Sequence, residues 1–204
     1  MTSAAPTLRP ARPTSDEGVA FAGYLDTVTD GFFRAMLGRQ VERIIADAYL
    51  ETGHDLSYQH VTFAERGGQI VGMASGYTAE EHRRSSDEVL GQAAGMIRTM
   101  RMAIVSILGR PVLRFIDHVP DGDFYLQAVA VDDDQRGHGI GSLLIDHVEA
   151  EARAHRCVRV VLDVVADNDG ARRLYESRGM TVEAESPHPP FMPGMRALRM
   201  VKPL

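Results

Sequence analysis

Hydrophobic and polar positions in the second half of the chain alternate between the spacings of strands and of helices. Strand spacing occurs at residues 124–131, 158–165, 180–185 and 195–201. Helical spacing occurs between these segments, at residues 141–155 and 170–178. Residues 158–165 are almost continuously apolar, which is typical of a strand at the centre of a sheet. The alternation predicts an α/β protein with a mixed sheet flanked by helices.

The first half of the chain begins with a short strand and two helices. Residues 7–12 have strand character, although Pro10 implies an edge strand or an early end. Residues 15–17 offer a helix start, with acidic side chains at the positive end of the helix dipole. Residues 30–51 carry apolar side chains at helical spacing and predict one long helix with a single buried face.

A β-hairpin follows these helices. Residues 61–64 and 69–74 flank the sequence Arg-Gly-Gly at 66–68, which is typical of a tight turn between strands. Gly72 and Gly76 predict close backbone packing or a bulge in the second of these strands. Together with the later strands, the hairpin and the first strand predict a sheet of about six to seven strands.

The connection from the hairpin to the next strand is longer than a minimal loop. Residues 80–87 are polar and expected to be exposed. Residues 89–108 are rich in methionine and branched apolar side chains, which predicts a helix that the Gly-Arg-Pro at 109–111 closes. A methionine-rich helix is typical of a core or an adaptable contact surface. We therefore expect residues 80–118 to form a helical insertion after the third strand.

The composition is that of an ordinary globular protein of 204 residues. The formal net charge of −6 argues against non-specific binding to nucleic acid, which requires a basic face. No stretch is apolar over the roughly 18 residues that a bilayer span needs, and residues 1–13 lack a secretory signal. The single cysteine, Cys157, excludes an internal disulfide and a cysteine metal cluster. We expect one cytoplasmic domain at 1–204, flexible over 1–6, without a metal or a membrane partner.

The strongest chemical signal is a glycine-rich turn between a predicted strand and a predicted helix. Residues 135–141 read Q-R-G-H-G-I-G. Alternating glycines let the backbone approach a ligand, and the free N–H groups of the following helix favour phosphate oxygens. A dinucleotide-binding fingerprint is excluded because its third glycine would fall at Ser142. A nucleotide P-loop is excluded because it needs a lysine in the turn, and the chain's only lysine is Lys202.

Two motifs in this region resemble those of the GNAT superfamily of N-acetyltransferases. The letters R-x-x-G-x-G at 136–141 resemble the family signature that binds the pyrophosphate of acyl-coenzyme A. The letters N-x-x-A-x-x-L-Y at 168–175 resemble the family's second motif, one helix and one strand further along. The resemblance covers residues 124–182 closely and the hairpin loosely. It implies the GNAT fold, in which two central parallel strands separate and the pantetheine arm lies in the gap.

The resemblance also implies which residues bind the cosubstrate. The residues carried over are Val129, Ala130, Val131, Arg136, Gly137, His138, Gly139, Ile140, Gly141, Ser142, Asn168, Ala171 and Tyr175. For Val129 and Val131 only the main chain is implied, since their side chains equally suit a core. Asn168 equally suits a helix N-cap. Tyr175 matches the tyrosine that protonates the leaving thiolate, and a packed tyrosine is the alternative.

The reaction implied is direct transfer of the acetyl group of acetyl-coenzyme A to a primary amine. A main-chain N–H near Val129 would polarise the thioester carbonyl. Many relatives carry a glutamate or histidine base on the preceding strand, where this chain has Tyr125 and Gln127, and glutamine cannot act as a base. The remaining candidate bases, acting through water, are Glu80, Glu81, Asp117, His118 and Asp123.

The acceptor amine lies outside what the shared motifs define. Residues 80–118 are expected to form one wall of the acceptor site or a dimer contact, and the apolar segment around Met100 is a candidate homodimer surface. We expect a small-molecule amine. Protein N-acetylation and an acyl-coenzyme A-binding module with weak catalysis are the alternatives.

Overall fold

Seven strands and seven α-helices, with three short 3-10 helices, are present in the part of the chain that the computed structural model describes, residues 5–29, 31–86, 110–187 and 196–204. The strands are β1 (Thr7–Pro10), β2 (Val61–Arg66), β3 (Gln69–Thr78), β4 (Asp123–Val131), β5 (Arg159–Val165), β6 (Thr181–Glu185) and β7 (Ala197–Pro203). The helices are α1 (Ser15–Val28), α2 (Phe32–Leu37), α3 (Val41–Tyr49), α4 (Ala79–Arg84), α5 (Arg110–Asp117), α6 (Ile140–Ala154) and α7 (Asp169–Ser177).

The strands form one mixed sheet in the order β1-β2-β3-β4-β5-β7-β6. β4 and β5 are parallel, and the other neighbouring pairs are antiparallel. The predicted α/β fold with a mixed sheet of six to seven strands is thus confirmed. β1 lies at an edge, as Pro10 predicts, and the apolar β5 lies inside the sheet.

Helices cover both faces of the sheet. α1 and α3 pack on one face, where Phe21, Ile45 and Met73 are buried. α6 packs on the opposite face, where Leu144 and Leu162 are buried. The sheet is therefore the middle of three layers.

The flanks of the predicted insertion pack on the same face as α1 and α3, at the other end of the strands. The cluster there contains Tyr77, Ala79, Val119, Tyr125, Val161, Val201 and, partly buried, Ile116. Tyr77 shares this face with Met73 because alternate residues of a strand point to the same side. The methionine-rich residues 89–108 lie outside the described residues, as do residues 1–4 and Met195.

One prediction from the sequence was wrong in detail. The single helix predicted over 30–51 is two helices, because Gly38 has φ 77° and ψ −155°, a backbone that favours glycine and ends α2. Arg110 and Pro111 lie in α5, and the helix predicted before them, with its end at Gly109, lies outside the described residues. Cys157 is partly buried and precedes β5.

Candidate active site

β4 and β5 pair at one end and separate toward the other. Their parallel register covers only Asp123–Tyr125 against Arg159–Val161. Beyond it β4 stays paired with β3 as far as Val131, and β5 stays paired with β7 as far as Val165. A wedge-shaped gap therefore opens between the two strands toward their carboxyl ends, where α/β folds bind ligands.

The edge of β4 that faces this gap presents the main chain of Val129 and Val131. The N–H of Asp132 donates to the carbonyl of Val71 in β3 at 3.1 Å, so the main chain of Asp132 faces β3. Because main-chain groups alternate sides along a strand, those of Ala130 also face β3, and those of Val129 and Val131 face the gap. The valine side chains pack against the core beneath α6.

A β-bulge interrupts β4 beside the gap. Ser75 pairs with Ala128, and the next residue of β3 pairs with Leu126, so one residue of β4 is left without a partner in β3. That residue is Gln127, whose side-chain oxygen accepts a hydrogen bond from Ser75 Oγ at 3.0 Å. A Cβ on Gly76 would lie 2.6 Å from a ring carbon of β4, which explains the glycine and confirms the close packing predicted there.

The glycine-rich turn adopts the backbone that its glycines permit. Gly137 and Gly139 have φ of 78° and 79°. Gly139 is the N-cap of α6, and the first helical hydrogen bond runs from the N–H of Leu143 to its carbonyl at 3.0 Å. The N–H groups of residues 140–142 therefore have no partner within the helix and lie at the positive end of its dipole.

The polar side chains of this turn lie at the surface. Arg136 pairs with Asp133 at 2.8 Å, and its Nε donates to the carbonyl of Val131 at 3.3 Å. The ring of His138 is exposed, with Nδ1 3.2 Å from the carbonyl of Gln135. Arg136 thus lies beside the end of β4, next to the free N–H groups of α6.

α6, α7 and the end of β4 meet at the mouth of the gap. A Cβ on Gly141 would lie 3.4 Å from Leu174 Cδ2 of α7 and 3.9 Å from Val131 Cγ2. The buried cluster here includes the predicted residues Val129, Val131, Ile140, Ala171 and Tyr175. Residues chosen from two separate motifs are therefore neighbours in space.

Asn168 caps α7 just after the end of β5. Its Oδ1 accepts the N–H of Ala171 at 3.0 Å, and its own N–H donates to the carbonyl of Val165 at 2.9 Å. The capping role expected from the sequence is confirmed. The cap also fixes the side chain at the carboxyl end of the strand that borders the gap.

Tyr175 points from α7 into the core beside the gap. It is 8% exposed, and burial raises the pKa of its phenol to about 12. Among the described residues, none hydrogen-bonds its hydroxyl. The phenol is therefore protonated throughout the neutral range, and its proton is available to a group entering the gap.

Two of the candidate bases are held by neighbouring groups. Asp123 is 1% exposed and accepts two bonds from Arg159, at 3.0 Å from Nε and 2.6 Å from Nη2. Glu81 closes a capping box at the start of α4, where it accepts from both the N–H and the hydroxyl of Thr78 at 2.8 and 2.9 Å. Neither carboxylate borders the gap.

The other candidate bases lie on α4 and at the end of α5 rather than on the two strands that border the gap. Glu80 is exposed and pairs with Arg84. Asp117 and His118 end α5 and line an open pocket of about 630 Å³ together with His82. The structure thus does not bring a free carboxylate or imidazole from the predicted set to the gap.

A buried polar network at the narrow end of the gap was not predicted from the sequence. The hydroxyl of Tyr125 donates to Asp163 Oδ2 at 3.2 Å, and Arg199 donates to both oxygens of Asp163, at 3.0 and 2.7 Å. The side chains of Asp163 and Arg199 are 2% and 5% exposed. The available signal was a charged residue in the middle of each of two apolar strands, Asp163 in β5 and Arg199 in β7, because a buried charge requires a partner.

Two kinds of feature are absent from the described residues. No group of three or more histidine, cysteine or acidic side chains there is arranged to hold a metal ion. No described helix is long and apolar enough to cross a membrane.

Comparisons with known proteins agree with this geometry. N-alpha-acetyltransferase 40 of Saccharomyces cerevisiae is 40% identical over 72 residues, which are 32% of this chain and 25% of that protein. The chain therefore spans about a quarter of the length of this curated relative. A crystal structure of an acetyltransferase is similar over 97% of this chain and 98% of its own, with 25% identity and a TM-score of 0.68.

A second solved structure shows the same fold. It is an N-acetyltransferase from Staphylococcus aureus Mu50, with 17% identity, a TM-score of 0.72, and coverage of 96% of this chain and 100% of its own. The model of the acetyltransferase (GNAT) family matches residues 30–180, which is more than half of the chain. The chain belongs to the acetyltransferase (GNAT) family.

Proposed function

We propose that the chain transfers the acetyl group of acetyl-coenzyme A directly to a primary amine. The observation that carries the proposal is the gap between β4 and β5, which leads to the free N–H groups at the start of α6. The gap offers main-chain groups to an extended pantetheine arm, and the helix start offers N–H donors to its pyrophosphate. These are the groups that the cosubstrate of the family requires.

The described residues fit acetyl-coenzyme A in their chemistry. Gly137 and Gly139 have open space where a Cβ would stand, so the backbone of the turn is accessible to phosphate oxygens. Arg136 adds a positive charge at the rim of this turn. Val129 and Val131 line the gap with main-chain groups, and Asn168 lies at its other border.

The chemistry assigned to the chain's own residues is limited to orientation and proton transfer. The neutral amine attacks the thioester carbonyl, the carbon–sulfur bond breaks, and the thiolate takes a proton. The N–H of Val129 is the proposed donor to the carbonyl oxygen. Tyr175 is the proposed donor to the thiolate, since its phenol is protonated and unpaired by the described residues. Before the attack the ammonium form of the acceptor loses a proton to water; after it the amide nitrogen loses a second proton to water, and the Tyr175 phenolate regains a proton from water.

The acceptor proposed is the amine of a small molecule. The flank of the insertion, including α5, covers the sheet on the face opposite α6, at the narrow end of the gap. A covered face favours a compact acceptor over a long chain lying across the sheet. The homodimer contact and the cytoplasmic location expected from the sequence stay predictions.

A protein α-amine is a second candidate acceptor. The observation that favours it is the 40% identity to a protein named N-alpha-acetyltransferase 40, although the match covers 72 residues. The two candidates share the cosubstrate and the reaction, and they differ only in what binds on the acceptor side.

The test is acetyl-coenzyme A turnover measured as free thiol release. One panel contains polyamines, amino acids and amino sugars, and the other contains peptides with free N-termini. Turnover with the first panel supports the proposal, and turnover with peptides alone would replace it with the second candidate. Binding of acetyl-coenzyme A without turnover of either panel would mean that the chain is a binding module.

A further inference from the structure

Arg199 is a buried cation whose guanidinium is shared between the sheet and a helix. One edge donates to Asp163 of β5, from Nε at 3.0 Å and from Nη2 at 2.7 Å. The other edge donates to main-chain carbonyls at the end of α5, those of His118 at 2.6 Å and Phe115 at 2.7 Å. The charge is thus matched by a carboxylate on one side and by carbonyl dipoles on the other.

The helix end that Arg199 contacts is its natural electrostatic partner. The last carbonyls of a helix have no partner within it and form the negative end of its dipole. The ring of Phe115 also stacks on the guanidinium, with Cζ 4.7 Å from the ring centroid. Three kinds of contact therefore join β7 to α5 through one side chain.

The network lies where β4 and β5 separate. Tyr125 and Val161 are the last residues of β4 and β5 that pair with each other, and Asp163 is two residues further along β5. The hydroxyl of Tyr125 reaches across to Asp163 at 3.2 Å. Arg199 thus fixes the end of α5 directly over the narrow end of the gap.

Lysine could not hold the same arrangement. The planar fork of arginine donates to both carboxylate oxygens and still has N–H groups for the carbonyls of α5, whereas an ammonium is a point donor. Arg159 provides an internal comparison, since it makes the same two-bond contact with Asp123 at the paired end of β5. Its other ion-pair partner is Glu183, an exposed residue of β6.

We infer that Arg199 is a positioning residue for the acceptor amine, because it holds the end of α5 as one wall of the acceptor site. The inference rests on the proposed function for the reaction itself. It assigns a specificity-determining role to a side chain that does not border the cosubstrate gap. Its consequence is a separation of two affinities: loss of the Arg199 contacts changes the affinity for the amine and leaves that for acetyl-coenzyme A.

The test compares Arg199→Lys with Arg159→Lys, which removes the matched fork without touching α5. The acetyl-coenzyme A Kd is measured by titration calorimetry, and KM and kcat are measured with the best amine of the panel. Hydrogen exchange of peptides spanning residues 110–118 reports whether α5 is still held. Phe115→Ala serves as a milder variant, because it removes the stacked ring and leaves no buried charge unpaired.

Arg199→Lys is expected to raise KM for the amine by roughly tenfold and to speed exchange in α5, with the acetyl-coenzyme A Kd within about threefold of wild type. Phe115→Ala is expected to change the same quantities less, and Arg159→Lys to leave them unaltered. An unchanged KM in Arg199→Lys, or an equal rise in Arg159→Lys, overturns the inference. If the wild type turns over no amine, the proposed function fails. If hydrogen exchange in α5 is unchanged in Arg199→Lys, Arg199 does not anchor α5, whatever the outcome for the reaction.

Discussion

Tyr175 is the side chain to which we assign the proposed catalytic role of proton donor. Burial raises its pKa to about 12, so the phenol is protonated at neutral pH and carries a proton that it can donate to the thiolate as the thiolate forms. The hydroxyl has no partner among the described residues. A hydroxyl that makes no structural hydrogen bond can be removed at low cost to the free energy of unfolding.

Replacing Tyr175 by phenylalanine is expected to lower kcat about 100-fold while the acetyl-coenzyme A Kd stays near the wild-type value. Tyr49→Phe is the control, since Tyr49 is also a buried tyrosine but donates to the carbonyl of Arg12, far from the gap. Steady-state kinetics and calorimetry on both variants check the prediction. Equal kcat values in Tyr175→Phe and wild type would remove the tyrosine from the mechanism.

Asn168 combines a structural role with a proposed binding role, and two substitutions separate them. Asn168→Ser keeps an N-cap oxygen, whereas Asn168→Ala removes it and is expected to cost about 1 kcal/mol in the free energy of unfolding. Both variants lose the amide that would contact the pantetheine arm. We therefore expect weaker binding of acetyl-coenzyme A in both, measured by calorimetry beside urea denaturation. Wild-type affinity in the serine variant would limit Asn168 to capping.

Residue chemistry was predictable from sequence where it is local and failed where it depends on distant pairing. Asn168 and the glycines of the turn act on neighbours within a few positions, so their roles follow from spacing. Asp163 and Arg199 are 36 positions apart and meet only because β5 pairs with β7. Their charges within apolar strands were visible, but the partner of each was not.

Among the elements, α4 and α5 are joined at their ends by His82. Its Nδ1 donates to Asp55 at 2.7 Å, and its Nε2 donates to the carbonyl of Asp117 at 2.8 Å. Both ring nitrogens face acceptors, so the hydrogen bond to Asp55 raises the pKa of His82 to about 9. The imidazole ring of His82 also stacks on the ring of Tyr77 in β3, with 5.4 Å between the ring centroids. His82 therefore links α4, α5 and β3.

The contacts of His82 predict that the protein loses stability at alkaline pH. The folded-state pKa of His82, about 9, lies above its ordinary value of 6.5. The stabilisation is therefore complete below about pH 6.5 and is lost as the pH rises through about 9. We expect His82→Gln to cost on the order of 2 kcal/mol at pH 6 and little at pH 10, by urea denaturation. A destabilisation independent of pH would mean that His82 acts through packing alone.

The elements themselves were largely predictable because each carries its own local signal. The hairpin follows from Gly67 and Gly68, whose φ values are 61° and 82°, and β5 follows from its apolar run. The break between α2 and α3 was missed because apolar spacing continues through it, and only the backbone of Gly38 reveals it. α4 was missed because a helix of six residues has too little periodicity.

At the scale of the whole molecule, the site is a product of the sheet order. β7 lies between β5 and β6, so β5 pairs with β7 along its whole length, while β4 pairs with β3. The gap arises because each of the two central strands keeps its outer partner where β4 and β5 separate, and no local pattern encodes it. From the sequence, the gap was predictable only through the resemblance to the family. The glycine turn and α6 then place their N–H groups at the open end.

The most direct test of the central claim is calorimetric titration of acetyl-coenzyme A into the wild type, Gly139→Arg and Gly53→Arg. Gly53 is the matched control. Its φ of 81° is close to the 79° of Gly139, both positions have open space where a Cβ would stand, and Gly53 lies in a different turn from the glycine-rich turn at 135–141. Strain from an arginine at positive φ is therefore similar in both variants. Saturable binding in the wild type and Gly53→Arg, with loss in Gly139→Arg, is the predicted result. No binding in the folded wild type would contradict the claim that the gap and the glycine-rich turn bind acetyl-coenzyme A.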